Sequence, residues 1–166
     1  MKALRLLVVS LLLCAGAACY GSGSNLSESG KGIPTLTVEF PETVTAGATE
    51  DLVLVVTNPG PGDMDSVFIA FTHVGVPGSG LGNALVPFGA DGENPAIADI
   101  SPEPDSVSQD GSVYRFPRLA EGDSTTITFS VIVPVVRGAA ANSVQVYDGS
   151  ELDRGIGKRV ATTVQG

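Results

Sequence analysis

The chain has 166 residues, a formal net charge of -9 and a pI of about 4.3. A polyanion would meet an acidic surface on which the few basic residues are scattered, so nucleic acid is not an expected partner. Both cysteines, Cys14 and Cys19, lie near the amino terminus. The rest of the chain therefore has no disulfide, and its fold must depend on packing.

Residues 1–18 have the three parts of an export signal. Lys2 and Arg5 precede an apolar run over residues 6–15, and three small residues follow over 16–18. With those small residues the apolar stretch is thirteen residues long, which is short of the ~20 that a membrane-spanning helix needs. We therefore expect a signal peptide over residues 1–18. Its removal would change the net charge from -9 to -11, because it holds two basic and no acidic residues.

Cys19 directly follows the small residues Gly16-Ala17-Ala18. This segment resembles the bacterial lipobox, in which a leucine and two small residues precede a cysteine that receives lipid, although Gly16 stands where leucine is usual. The resemblance implies a lipidated Cys19 with more than one acyl chain, and two chains hold a protein stably at a membrane. Cys14 is a weaker candidate, because three leucines precede it.

The alternative to lipidation is ordinary secretion after cleavage behind Ala17, which would leave Cys19 as a free thiol. Lipidation is favoured because an exposed, unpaired cysteine outside the cell would be chemically reactive. Residues 20–32 are mostly Gly and Ser, so they cannot form a core and predict a flexible tether with an r.m.s. reach of about 20 Å. The predicted organisation is a signal peptide over 1–18, a lipidated cysteine and tether over 19–32, and one domain over 33–166.

Within that domain, short β-branched stretches alternate with turns rich in Gly, Pro, Asn and Asp. Residues 51–57 are apolar on both faces, as a central strand would be, whereas residues 75–95 predict a long loop with a short edge strand near Leu85 and Val86. The pattern predicts an all-β fold, an antiparallel two-sheet sandwich of seven or eight strands, with a closed barrel as the alternative. The predicted strands lie at 35–40, continued by 43–46, and at 51–57, 67–72, 96–100 (weak), 112–116, 125–133, 143–147 and 159–164.

Three segments resemble bacterial immunoglobulin-like domains, which occur, often as repeats, in surface and cell-wall proteins. They are Leu-Val-Val-Thr-Asn-Pro-Gly-Pro at 54–61, Leu-Ala-Glu-Gly-Asp-Ser-Thr-Thr-Ile-Thr-Phe at 119–129 and Ala-Asn-Ser-Val at 141–144. The resemblance implies an immunoglobulin-like sandwich that serves as a spacer, stalk or interaction module and is not an enzyme. The single copy and the Gly/Pro-rich insertion at 75–95 argue against a pure spacer, since loops this long are usually functional or disordered.

Few residues suggest a catalytic or metal-binding role. His73 is the only histidine, and no Gly-x-Ser-x-Gly motif frames a serine. Carboxylates at 63–65, 91–93 and 103–105 could attract calcium, but their spacing is not that of a dedicated loop, and acidic turns commonly bond their own backbone. We therefore predict no catalytic, cofactor-binding or metal-binding residue.

The expected function is that of a lipoprotein of the bacterial cell envelope, exposed outside the cytoplasm, which contacts the membrane through lipid on Cys19 and a protein or cell-wall partner through loops. One alternative is a glycan-binding lipoprotein, which would need exposed aromatic residues around Phe88 in the long loop. Another is a hydrolase, which would need His73 beside a serine and a carboxylate.

Overall fold

The computed structural model describes residues 33–73, 97–133, 135, 137–149 and 155–166. Within these residues the chain forms strands and turns, and it has no apolar helix long enough to span a bilayer. The strands are β1 (Thr35–Glu39), β2 (Thr43–Thr45), β3 (Thr49–Thr57), β4 (Val67–His73), β5 (Ile97–Ser101), β6 (Ser106–Val107), β7 (Val113–Phe116), β8 (Ser124–Ile132), β9 (Gly138–Asp148) and β10 (Ile156–Gln165).

The strands form two sheets. One has the order β1-β3-β8-β5 and the other the order β2-β10-β9-β4-β7-β6. Every pairing between these strands is antiparallel except that of β2 with β10, which is parallel from Thr43↔Thr163 to Thr45↔Gln165. The predicted all-β, two-sheet sandwich is confirmed, and the described part of the chain adds short strands to the seven or eight predicted.

The chain changes sheets at Pro41. Residues 43–46 were predicted to continue the first strand, but β1 pairs with β3 whereas β2 pairs with β10 in the other sheet. Proline lacks the N–H group that a continuing ladder would need. The Thr162 hydroxyl donates to the Pro41 carbonyl oxygen at 2.7 Å, and the Ala46 N–H donates to the Gln165 carbonyl at 2.6 Å. These bonds attach the crossing segment to β10.

Aromatic side chains join the two sheets at the centre of the core. Phe129, on β8 of the four-stranded sheet, is fully buried. Its ring lies edge-to-face against three rings from the six-stranded sheet, with centroid distances of 5.1 Å to Phe71, 5.1 Å to Tyr114 and 6.4 Å to Phe116. Such pairs contribute about 0.5–1.5 kcal/mol beyond their burial. The cluster therefore fixes how the sheets face each other.

Several strands have bounds other than those predicted, and β10 begins at Ile156, within a predicted turn and three residues before the predicted start at 159. β9 begins at Gly138, five residues before the predicted start, because Ala139–Ala141 pair with β10 despite the low β-propensity of alanine. β6 has only two residues, too few to show a period of two, and no strand was predicted between the acidic turn at 101–105 and the strand at 112–116. The predicted leader, Cys19, the tether and the 75–95 loop with Leu85, Val86 and Phe88 lie outside the described residues.

Candidate functional site

The outer face of the six-stranded sheet, called here the arginine face, gathers side chains suited to binding. Alternate residues of a strand point to opposite faces of a sheet. Val67, Ile69 and Phe71 of β4 are buried in the core, so Phe68 lies on the outer face. The central part of the arginine face consists of Phe68, Ala70, Val113, Arg115, Ser143, Gln145, Tyr147, Gly157 and Arg159.

Strand register places an arginine and two aromatic side chains in one row. Phe68 of β4 is the direct partner of Arg115 on β7 and of Tyr147 on β9. The Cβ atoms of direct partners lie about 4.5–5.5 Å apart, so the three side chains are neighbours. Gln145 lies two residues along β9 from Tyr147, and Arg159 of β10 is the partner of Ser143 in the row beyond.

Tyr147 is held over a glycine. A Cβ atom built at Gly155 would collide with Cδ1 and Cε1 of the Tyr147 ring and would lie 2.9 Å from the carbonyl oxygen of Val146. The phenol group of Tyr147 donates a hydrogen bond to Oε1 of Gln145. The ring and the amide therefore support each other. A cavity of about 180 Å³ adjoins them, lined by Gln145, Tyr147, Gly155, Ile156 and Gly157.

Charge is divided between the two outer faces. Arg115 and Arg159 are exposed on the arginine face, whose described strand residues include no Asp or Glu. The outer face of the four-stranded sheet carries Glu39, Asp51 and Asp99, and its described strand residues include no Lys or Arg. In a chain of net charge -9, the arginine face is thus a local exception.

The turns at 58–62 and 119–123, which carry two of the three family-like segments, bond to each other. Asn58 is fully buried, and its Nδ2 donates to the carbonyl oxygens of Gly62 at 2.9 Å and Leu119 at 3.1 Å. Its Oδ1 accepts the Gly60 N–H at 3.0 Å. Met64 and Leu119 exchange backbone hydrogen bonds of 2.9 and 3.1 Å. These two segments therefore stabilise one end of the sandwich.

The acidic turn at 63–65 makes structural contacts through the Asp63 carboxylate and the Asp65 backbone. Asp63 accepts the Glu121 N–H at 2.8 Å through Oδ1 and is ion-paired with Arg118 through Oδ2. The N–H of Asp65 donates to Oδ1 of Asp148 at 3.0 Å. Within the described ranges, no group of three His, Cys, Asp or Glu side chains is placed to hold a metal.

Among the residues that the structure describes, the other positions named from the sequence do not come together at a site. The backbone of His73 ends β4, and its side chain is outside the described part of the structure. Glu103 and Asp105 are exposed, on either side of Pro104. Residues 91–93 are outside the described ranges, as is Phe88.

Phe68 and Tyr147 were not predicted as surface residues. The alternation of residues along each strand could have indicated their outward position. Phe68 alternates with the apolar residues Val67 and Ile69, and Tyr147 lies on the same side of its strand as the polar residues Ser143 and Gln145. The pairing of β4 with β9, which makes the aromatic side chains neighbours, depends on register between distant segments and has no counterpart in the local sequence.

No protein-family model matches the chain, and no curated protein sequence does so. Among solved structures it is similar to the CARDB domain of a Pyrococcus furiosus protein, with 14% identity, a TM-score of 0.46 and coverage of 80% of this chain and 90% of that one. It is also similar to a cohesin module of a Clostridium perfringens glycoside hydrolase, with 10% identity, a TM-score of 0.46 and coverage of 80% and 97%. A conjugative transposon lipoprotein from Bacteroides eggerthii matches with 13% identity, a TM-score of 0.40 and coverage of 78% and 96%. The assignment of a two-sheet sandwich rests on the strand pairings themselves.

Proposed function

We propose that the chain is a lipid-anchored protein of the bacterial cell envelope whose sandwich binds a partner through the arginine face. Lipid on Cys19 holds it at a membrane, and residues 20–32 separate the domain from the bilayer by about 20 Å. The partner is a protein or a cell-wall component. The domain binds this partner and does not transform it chemically.

The combination of Arg115 with Phe68 and Tyr147 on one face of the sheet supports the binding role. Arginine and aromatic residues dominate the energetics of binding surfaces, because they offer large rigid contact areas together with hydrogen-bond donors. On this face they are direct neighbours by register. The outer face of the four-stranded sheet offers mainly hydroxyl groups and carboxylates, such as those of Thr126 and Asp51.

The anchor is tested by the mass and location of the mature protein. In cells that express the full chain, we expect a membrane-bound product beginning at a lipid-modified Cys19. Globomycin, which blocks lipoprotein signal cleavage, should cause the precursor to accumulate. Cys19→Ser should abolish the lipid mass, whereas the matched control Cys14→Ser should keep it. An unlipidated mature product that begins before Cys19 in untreated cells would contradict the anchor.

The binding face is tested by co-sedimentation of the full-length protein with purified cell-wall sacculi in detergent. We expect Phe68→Ala and Arg115→Ala to weaken binding about tenfold or more, in the range of binding hot spots. The control Thr126→Ala, on the opposite sheet, should bind as the parent does. Equal binding by all variants would exclude the arginine face as the site of contact.

A glycan-binding function is the second candidate, and the Phe68–Tyr147 pair favours it. The aromatic cluster that such a function needs was predicted around Phe88, whereas the described aromatic pair lies on a sheet face. Sugars expose C–H patches that stack on aromatic rings, and a flat sheet can present two rings to one chain of sugars.

A further inference from the structure

We propose that the arginine face binds a uronic-acid oligosaccharide, with sugar rings against Phe68 and Tyr147 and carboxylates at Arg115 and Arg159. This assignment rests on the binding role proposed above and specifies the chemical class of the ligand. Three properties of the face lead to it: preformed aromatic surface, planar hydrogen-bonding groups and isolated positive charge.

The aromatic surface is fixed before any ligand arrives. Tyr147 lies over Gly155, where a side chain would collide with its ring, and its phenol donates to Gln145. Phe68 stands beside it as the direct cross-strand partner. Rings that are already ordered lose little conformational entropy on binding, so a modest contact area can yield measurable affinity.

The neighbouring polar groups match sugar hydroxyls. Oε1 of Gln145 is engaged by Tyr147, which leaves the NH₂ group of the same amide as a donor beside the cavity. Ala70 and Gly157 flank Gln145 in its row. Their small size leaves space above the sheet for a flat ligand. Bulky side chains in those positions would lift a sugar away from the amide.

The two guanidinium groups set the charge and the length of the ligand. Arg115 and Arg159 lie three strands and four residues apart on the sheet, which places their Cα atoms about 20 Å from each other. Tyr147 and Gln145 lie between them in this arrangement. A guanidinium group binds a carboxylate with two parallel hydrogen bonds. An oligosaccharide with a carboxylate on each ring can therefore meet both arginines at once.

The rest of the surface directs such a ligand to this face. The opposite face carries Glu39, Asp51 and Asp99, which repel an anion. A polymer of anionic groups without rings would satisfy the arginines and would leave Phe68 and Tyr147 unused. A protein partner would need about 800 Å² of contact with an apolar centre, and the two half-buried rings supply only a small apolar area.

The test compares two probes of the same length, oligogalacturonate and its methyl ester, in which esterification removes the charge of each carboxylate. Binding to the full-length protein in detergent is measured by calorimetry at low salt. We expect the acid to bind about tenfold more tightly than the ester, and this advantage should decrease as salt screens the charges. Phe68→Ala should weaken binding of both probes, whereas Arg115→Ala and Arg159→Ala should weaken binding of the acid alone. Thr126→Ala is the matched control, and circular dichroism confirms that each variant is folded.

Absence of binding at millimolar oligogalacturonate, equal affinity for acid and ester, or binding that Phe68→Ala leaves unchanged would each overturn the assignment. If sacculus binding still depends on Phe68 and Arg115 when oligogalacturonate does not bind, the ligand class is wrong and the binding role stands. If neither sacculi nor oligogalacturonate bind through this face, the binding role fails as well.

Discussion

Asn58 is a polar residue whose burial is fully compensated. Its sequence context, Asn-Pro-Gly-Pro-Gly, predicts a turn, and turns usually face water. In the structure its side chain is fully buried and bonds the backbone of its own turn and of Leu119 on the neighbouring turn. A turn is predictable here from composition. The burial is not, because it depends on a segment more than sixty residues away in the chain.

We expect Asn58→Ala to lower the free energy of unfolding by about 2–4 kcal/mol, because it removes the donor for two carbonyl oxygens. Asn58→Asp should cost more, since it places a negative charge against those oxygens. Urea denaturation measures both variants. Thr57→Ala is the control, because Thr57 bonds the exposed Ser124 hydroxyl at 2.6 Å and its loss should cost about 1 kcal/mol or less. Equal losses for Asn58→Ala and Thr57→Ala would contradict the role of Asn58.

Tyr114, a buried core residue, makes the free energy of unfolding depend on pH in the alkaline range. Burial, together with the nearby charge of Asp110, raises the pKa of Tyr114 to about 12 from an ordinary value of 10. The hydroxyls of Ser108 and Ser112 and the Ser112 N–H hold the pKa of Asp110 at about 2, so Asp110 is charged at neutral and alkaline pH. The folded state therefore favours the neutral phenol of Tyr114.

Because the pKa of Tyr114 is higher in the folded than in the unfolded state, its contribution is complete below pH 10 and is lost as the pH rises through 12. We expect the free energy of unfolding to fall between pH 10 and pH 12, and to fall less steeply in Tyr114→Phe. Urea titrations at a series of alkaline pH values measure this slope. Thr126→Ala, which changes no titratable group, should retain the parental slope. A slope unchanged in Tyr114→Phe would show that other groups cause the loss.

At the scale of elements, the period-two pattern predicted most strands but not their sheets. The strand at 43–46 was expected from its residues, yet only the structure shows that the chain crosses to the other sheet at Pro41. The face of Phe68 could be inferred from its parity. Its neighbours Arg115 and Tyr147 could not, because register between distant strands is set by the whole sheet.

Two turn glycines allow a matched test of the contact between the turns at 58–62 and 119–123. Gly60 and Gly122 have φ values of 78° and 80°, so a side chain at either position strains the backbone. A Cβ atom at Gly60 would also lie 2.6 Å from Oε1 of Glu121, whose other oxygen accepts the Gly62 N–H. At Gly122 nothing lies within 4 Å of the same atom.

We expect Gly122→Ala to cost about 1–2 kcal/mol from backbone strain alone, and Gly60→Ala to cost about 1 kcal/mol more because it displaces Glu121. Thermal unfolding compares the two variants. Adding Glu121→Ala to each removes the obstructing side chain and should bring the two costs together. If Gly60→Ala is no more costly than Gly122→Ala, the contact between the two turns does not constrain this position.

At the scale of the whole molecule, the aromatic cluster around Phe129 joins the two sheets, and we therefore expect them to unfold as one cooperative unit. We expect Phe129→Ala to lower the free energy of unfolding by about 3–5 kcal/mol, since it leaves a cavity between the sheets. Urea denaturation followed by circular dichroism should still show one transition. Ile132→Ala, at the partly exposed end of the same strand, should cost about 1 kcal/mol or less. Two separate transitions in the parent protein would contradict the cooperative core.

A two-sheet sandwich was predictable because every strand must bury one face, and apolar periodicity reports that face directly. The division of charge between the outer faces was not predictable. It depends on which strands share a sheet. Arg115 and Arg159 are 44 positions apart in a sequence with a net negative charge, so nothing in the local sequence indicates that they share a face. The lipid anchor at Cys19 and the tether remain predictions from the leader sequence.

The parallel pairing of β2 with β10 has a mechanical consequence. Neighbouring parallel strands that are pulled from opposite ends slide along each other, so all their backbone hydrogen bonds carry the load together. Antiparallel strands pulled from adjacent ends open one bond at a time. A force that draws the start of β2 away from the end of β10 therefore loads all the hydrogen bonds between residues 43–45 and 163–165 at the same time.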